Sequence, residues 1–99
     1  MPENSLRVVA RIKAQPENVD DVRRLLSGLI EPTRKEPGCV KYELLQNRKD
    51  PAEFTFVEEW ESESALDVHL TTAHIREALP KLGDIAAGEP DIRTYSVVG

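Results

Sequence analysis

Glu53-Phe54-Thr55-Phe56-Val57-Glu58-Glu59-Trp60-Glu61 is the stretch on which the fold turns. Its aromatic side chains, Phe54, Phe56 and Trp60, all fall on one alternating set of positions, the signature of a strand with one buried face. Phe54, Phe56, Glu58 and Trp60 share that face, while Thr55, Val57 and Glu59 share the other. Just before it, Asn47-Arg48-Lys49-Asp50-Pro51 is dense in turn formers and suits a hairpin. The partner strand is then Cys39 to Asn47, in which Val40, Tyr42 and Leu44 oppose Cys39, Lys41, Glu43 and Leu45.

Working outward, residues 6–14 alternate in the same way. Leu6, Val8, Ala10, Ile12 and Ala14 fall on one face; Arg7, Val9, Arg11 and Lys13 fall on the other. Between this strand and the hairpin the period changes. Val19, Val22, Leu25, Leu26 and Leu29 lie at helical spacing, with Asn18 as a cap candidate and Asp20 and Asp21 near the positive end of the helix. Pro32 is expected to kink or loosen the last turn, and Pro37-Gly38 to end the element. After Trp60, Ser62 or Ser64 caps a second helical region carrying Ala65, Leu66, His69 and Leu70 on one face. Thr71-Thr72 interrupts it; Ile75, Leu79 and Leu82 continue the stripe, with Pro80 as a further break. Asp91 to Val98 closes the chain as a fourth strand.

The order β-α-β-β-α-β predicts an α+β, ferredoxin-like fold, each helix crossing over between parallel neighbours. Both helices cover one face of an antiparallel four-stranded sheet. The other face carries Val9, Val57 and either Tyr95 with Val97 or Val98. A partly apolar sheet face of that size predicts a homodimer that buries it.

The 99 residues suit a single domain, 1–99, with its core over about 6–98. The net charge of −5 comes from 18 acids and 13 bases with the signs mixed, so no basic patch for nucleic acid stands out. Cys39 is the only cysteine, which rules out an intrachain disulfide. Met1 to Ser5 is polar, not a secretory core, and no apolar run is long enough for a membrane span, so a cytoplasmic protein is expected.

Chemistry-bearing residues gather on the third strand and the second helix. Glu58 beside Trp60 at the core edge needs a hydrogen-bond partner or takes a raised pKa; the structural alternative is a core Trp with an ion-paired Glu. His69 lies on the apolar stripe, either as a packing residue or as the best acid/base candidate in the chain. His74 follows five residues on, which is not the i, i+4 spacing of a helical metal pair. With no cysteine or acid nearby in sequence to complete a ligand set, no metal centre is expected, and His74 reads as a helix-start or pocket-rim residue. Glycine-rich phosphate loops and nucleophile elbows are missing, so no nucleotide, flavin or acyl-transfer site is expected.

Taken in order, Ile30-Glu31-Pro32-Thr33-Arg34, Glu36-Pro37-Gly38-Cys39 with Tyr42, Phe56-x-Glu58-x-Trp60 and Ala65-Leu66-x-x-His69-x-x-x-x-His74 resemble the antibiotic biosynthesis monooxygenase family. That resemblance implies a dimeric α/β barrel and cofactor-independent oxygenation, by dioxygen, of an electron-rich aromatic such as a hydroquinone or polyketide phenol. It implies a site in which His69, Trp60 and Glu58 are catalytic and Tyr42, Phe56, His74 and Leu66 form the substrate pocket. His69 would be the acid/base, Tyr42 or Glu58 would orient the substrate, and Trp60 and Phe56 would wall the pocket. Haem-degrading relatives use an asparagine on the first strand, and Leu6 to Lys13 has none, which disfavours that activity. Isomerisation or processing of a small signalling metabolite, and a non-catalytic dimeric ligand-binding module, remain the alternatives.

Overall fold

The computed structural model describes residues 5–99. Strand β1, Leu6–Lys13, buries Val8, Ala10 and Ile12 and turns Val9 and Arg11 the other way, as its alternation requires. A short 3-10 turn, Pro16–Asn18, leads into α1, Val19–Ser27, and α2, Ile30–Arg34. The hairpin follows as β2, Cys39–Gln46, and β3, Glu53–Trp60. Then come α3, Glu63–His69, α4, Ala73–Ile85, and β4, Asp91–Tyr95. The sheet order is β2-β3-β1-β4 with every adjacent pair antiparallel, which is the ferredoxin-like α+β arrangement.

Each helical crossover skips a strand; it does not join parallel neighbours. β1 and β2 run parallel with β3 between them, and β3 and β4 run parallel with β1 between them. The hairpin imposes this, since placing β3 against β1 leaves β2 only the outer edge. All four apolar-face positions of β3 are buried: Phe54, Phe56, Glu58 and Trp60. On β4 the register places Tyr95, Arg93 and Asp91 on the same side as Arg7, Val9 and Arg11, so Tyr95 belongs to the outer face.

Strand β2 departs from simple alternation. A bulge between Cys39 and Lys41 adds one residue, so Cys39 pairs with Trp60 on the helix side and Val40 turns outward, 53% exposed. Beyond the bulge the expected parity holds, with Tyr42 buried opposite Glu58.

The prolines act differently from expectation. The first helical region breaks at Gly28 and Leu29, and Pro32 sits in the first turn of α2. N–H groups in a first turn have no intrahelical acceptor, so a proline costs little there. α4 runs straight through Pro80. Pro80 lies on the exposed side, where water can reach the Arg76 carbonyl that loses its donor. Asn18 makes no side-chain cap and instead donates to Gln15 Oε1 at 3.2 Å. Ser62 is the cap of α3, its Oγ accepting from the Ala65 N–H at 3.1 Å.

Gly38 fixes the entry to β2. Its φ of +85° is a left-handed conformation, and a Cβ there would come within 2.6 Å of the Ala65 Cβ. Only glycine lets the loop before β2 lie this close to α3. No helix among the described residues is long and apolar enough to cross a membrane.

Candidate active site

Four elements and one loop bring side chains together here. β3 supplies Phe56 and Glu58, β2 supplies Tyr42 directly across from Glu58, and α3 supplies Leu66 and, at its last residue, His69. The loop held by Gly38 supplies Glu36, and the first turn of α4 supplies His74. Tyr42 stacks on Phe56 with ring centroids 4.6 Å apart, and the His69 ring meets Tyr42 edge-on at 5.7 Å and Trp60 at 4.7 Å. His69 Nδ1 is 2.9 Å from Glu36 Oε2, and His74 Nε2 is 2.6 Å from the same oxygen. Trp60 Nε1 donates to Glu58 Oε1 at 2.8 Å.

Burial sets the protonation of this group. The Glu58 carboxyl is pushed up to about 7, mainly by loss of solvent, with the charge of Glu36 adding to it and the Trp60 hydrogen bond opposing it. Burial and then the neighbouring Glu58 drive the Tyr42 phenol far above its ordinary value, so it stays a hydroxyl donor. Burial depresses His69 despite the pull of Glu36, which favours the neutral imidazole. With Nδ1 held by Glu36, Nε2 is the ring nitrogen left to act on a ligand. Cys39 is raised to about 11 by burial and by Glu36, so it is an inert thiol.

Glu58 makes a stability prediction. The folded chain holds this proton to a higher pH than the unfolded chain, for which 4.5 is the reference. Stability therefore falls as pH rises from 4.5 to about 7, by about 3 kcal/mol, and Glu58 has no effect below that window. Glu58→Gln should flatten this part of the profile in urea unfolding measured from pH 4.5 to 8. Equal slopes in variant and wild type would refute the assignment.

The side chains enclose a cavity of about 110 Å³. Tyr42, Phe56, Glu58, Leu66 and His69 line it, with half-exposed Leu79 and Ile92 on its open side. Two of the residues expected in the site lie elsewhere. Trp60 is fully buried behind Glu58 and does not reach the cavity. His74, the second residue of α4, lies on the far side of His69, with Glu36 between their ring nitrogens.

Glu36 is the residue that sequence reasoning missed. It precedes His69 by 33 positions, so local spacing could not place it, and only the Glu36-Pro37-Gly38 turn hinted at a held loop. It brings beside the two histidines an acid that no neighbouring position in the sequence offers. Ligand atoms of Glu36, His69 and His74 lie within 4.8 Å of one another.

Residues 5–81 match the antibiotic biosynthesis monooxygenase family. The uncharacterized protein sll1783 of Synechocystis sp. (strain ATCC 27184 / PCC 6803 / Kazusa) is 30% identical over 95 residues, which cover 96% of this chain. The chain spans 65% of that relative's length. The Mycobacterium tuberculosis protein named "Putative monooxygenase Rv0793" is 33% identical over 78 residues, 79% of this chain and 76% of its own. A crystal structure described as an antibiotic biosynthesis monooxygenase superposes with a TM-score of 0.89 at 35% identity, covering 95% of this chain and 99% of that one. A conserved protein from Methanosarcina mazei Go1 gives 0.89 at 36% identity, with 96% and 94% covered. The family match extends over more than half of the chain and includes Glu36, Glu58, His69 and His74, and the chain belongs to the antibiotic biosynthesis monooxygenase family.

Proposed function

We propose that the protein is a monooxygenase that oxygenates an electron-rich, single-ring phenol such as a hydroquinone, with the electrons supplied by the substrate. The observation that carries this reading is a buried histidine, its Nδ1 tied to a carboxylate, facing an apolar cavity through its ring. His69 Nε2 takes the phenolic proton, and the resulting phenolate, out of water, reduces dioxygen. Oxygen adds to the ring as a peroxide, which takes up a proton and loses water. A hydroquinone and dioxygen thus give a hydroxyquinone and one water. The substrate gives up four electrons and dioxygen accepts them, so no outside reductant enters. The Tyr42 hydroxyl and protonated Glu58 are donors for the charge that develops on oxygen.

Size argues for a single ring. An engineered apolar cavity of about 150 Å³ accepts benzene, and this one, at about 110 Å³, leaves room for one ring with small adjustments. Among the described residues lining it there is no Lys or Arg. A phosphorylated metabolite, the substrate class of the isomerase alternative, would find no cation there. The homodimer belongs to this reading as well. Val9 and Val57 sit directly opposite each other on the outer face, with Thr55, Leu45 and Tyr95 around them, a patch suited to a second copy of the sheet.

Oxygen uptake on a panel of hydroquinones, with isotopically labelled dioxygen, tests the reaction. One labelled atom in the organic product is expected, and exhaustive dialysis against EDTA should not lower the rate. Loss of activity on dialysis, restored by one particular metal, would overturn the cofactor-independent reaction. Binding of the phenols without any turnover would leave a ligand-binding module.

A further inference from the structure

We propose that Glu36, His69 and His74 form a site for a divalent transition-metal ion on the side of His69 away from the cavity. Two imidazole nitrogens, Nδ1 of His69 and Nε2 of His74, converge on one carboxylate, at 2.9 and 2.6 Å from the same oxygen. All three side chains are withdrawn from solvent, with 4% of the His69, 9% of the Glu36 and 23% of the His74 side chain exposed. The other carboxylate oxygen, Glu36 Oε1, is buried with no hydrogen-bond partner. Such an oxygen is costly to leave unpaired, and a cation would satisfy it. Two nitrogens and one carboxylate suit zinc, nickel, copper or iron; magnesium and calcium prefer all-oxygen sets.

The elements hold these ligands independently of one another. His69 ends α3, His74 starts α4, and Thr72 ties the turn between them, donating through Oγ1 to the His69 carbonyl at 2.8 Å and lying 3.2 Å from His74 Nε2. Glu36 arrives on the loop that Gly38 presses against α3. Carboxylate and imidazoles thus meet where the ion needs them, after a short retreat of Oε2 from the point on which both nitrogens aim.

Neither Glu36 nor His74 lines the cavity, so an ion here would sit behind the His69 ring, out of reach of a ligand in the cavity. It would still be felt there. Coordination through Nδ1 confines the ring proton of a neutral imidazole to Nε2, and that nitrogen can then only donate. Resting on the reading that His69 Nε2 is the base, a filled site is a switched-off enzyme.

The test is calorimetric titration of EDTA-treated, desalted protein with ZnCl2, NiCl2 and MgCl2. One Zn²⁺ or Ni²⁺ per chain and no detectable Mg²⁺ are expected. Loss of a mere neighbour of a metal ligand weakens binding about 10–100-fold, so Glu36→Gln and His74→Ala should each lose at least that much. Nitrogen-15 spectra of histidine-labelled protein with Zn²⁺ should report coordination at Nδ1 of His69 and Nε2 of His74, and circular dichroism checks that the variants fold. No binding to the wild type, or equal binding by both folded variants, would overturn the site. Zn²⁺ should also inhibit phenol oxygenation over the concentration range in which it binds. Binding with undiminished turnover would keep the site and remove His69 as the base.

Discussion

His69→Ala should lower kcat by roughly 10²–10⁴ and leave the fold intact, because general-base catalysis is worth about that much. The imidazole lines the cavity, and with Nδ1 bound to Glu36 its Nε2 is the nitrogen left to take a proton. With EDTA-treated wild type, the rate should rise with pH as His69 loses its proton. Burial depresses the pKa, so the inflection should fall below the usual 6.5. The variant should lose that inflection. The substrate must be a phenol whose own pKa lies well above neutrality, since an acidic phenol ionises unaided. A variant with the full rate and the same profile would make His69 a packing residue and pass the proton to Glu58 or to the substrate itself.

Val57→Asp should weaken the homodimer by about 3–5 kcal/mol, the cost of burying an unpaired carboxylate, which is at least about 10²-fold in the dissociation constant. Val57 lies in the middle strand pair of the outer face, opposite Val9 on β1 and Glu43 on β2. Glu59, two residues along β3, shares that face, so the new carboxylate would find acids beside it as well as a neighbour's apolar surface. Sedimentation equilibrium or light scattering across micromolar concentrations measures the effect. Val57→Thr, nearly the same shape, should remain far closer to wild type. A wild type with the mass of the 11.1 kDa monomer in this range would sink the dimer outright.

The strands were legible because their face is written at every second residue. Val8, Ala10, Ile12, Phe54, Phe56 and Trp60 are buried as the alternation demands. Val40 was misplaced because a bulge adds a residue without leaving any mark in composition. Pro32 and Pro80 misled for a shared reason. A proline breaks a helix only where its missing N–H or the orphaned carbonyl is denied a substitute, and both depend on position within the folded element. Glu58 beside Trp60 could be read from two adjacent same-face positions, and the structure adds the hydrogen bond between them. The place of Glu36 in the site could not be read from spacing. Its meeting with His69 and His74 is made by the turn at Gly38 and the break between α3 and α4, and no spacing within one element encodes it.

The strand made first is also the strand that must wait longest. β1 lies inside the sheet, yet its two neighbours are β3 and β4, with Leu6 paired to Trp60 and Arg7 to Tyr95. The β2–β3 hairpin is local and can form within about 1–10 μs. β1 gains its first partner only when that hairpin docks, and its second only when residues 91–95 arrive. Distant pairing of this kind slows folding, and until it is complete β1 presents unpaired backbone along an edge. A chain stopped before residue 91 therefore leaves one edge of β1 bare, and its expected fate is edge-to-edge association with other copies.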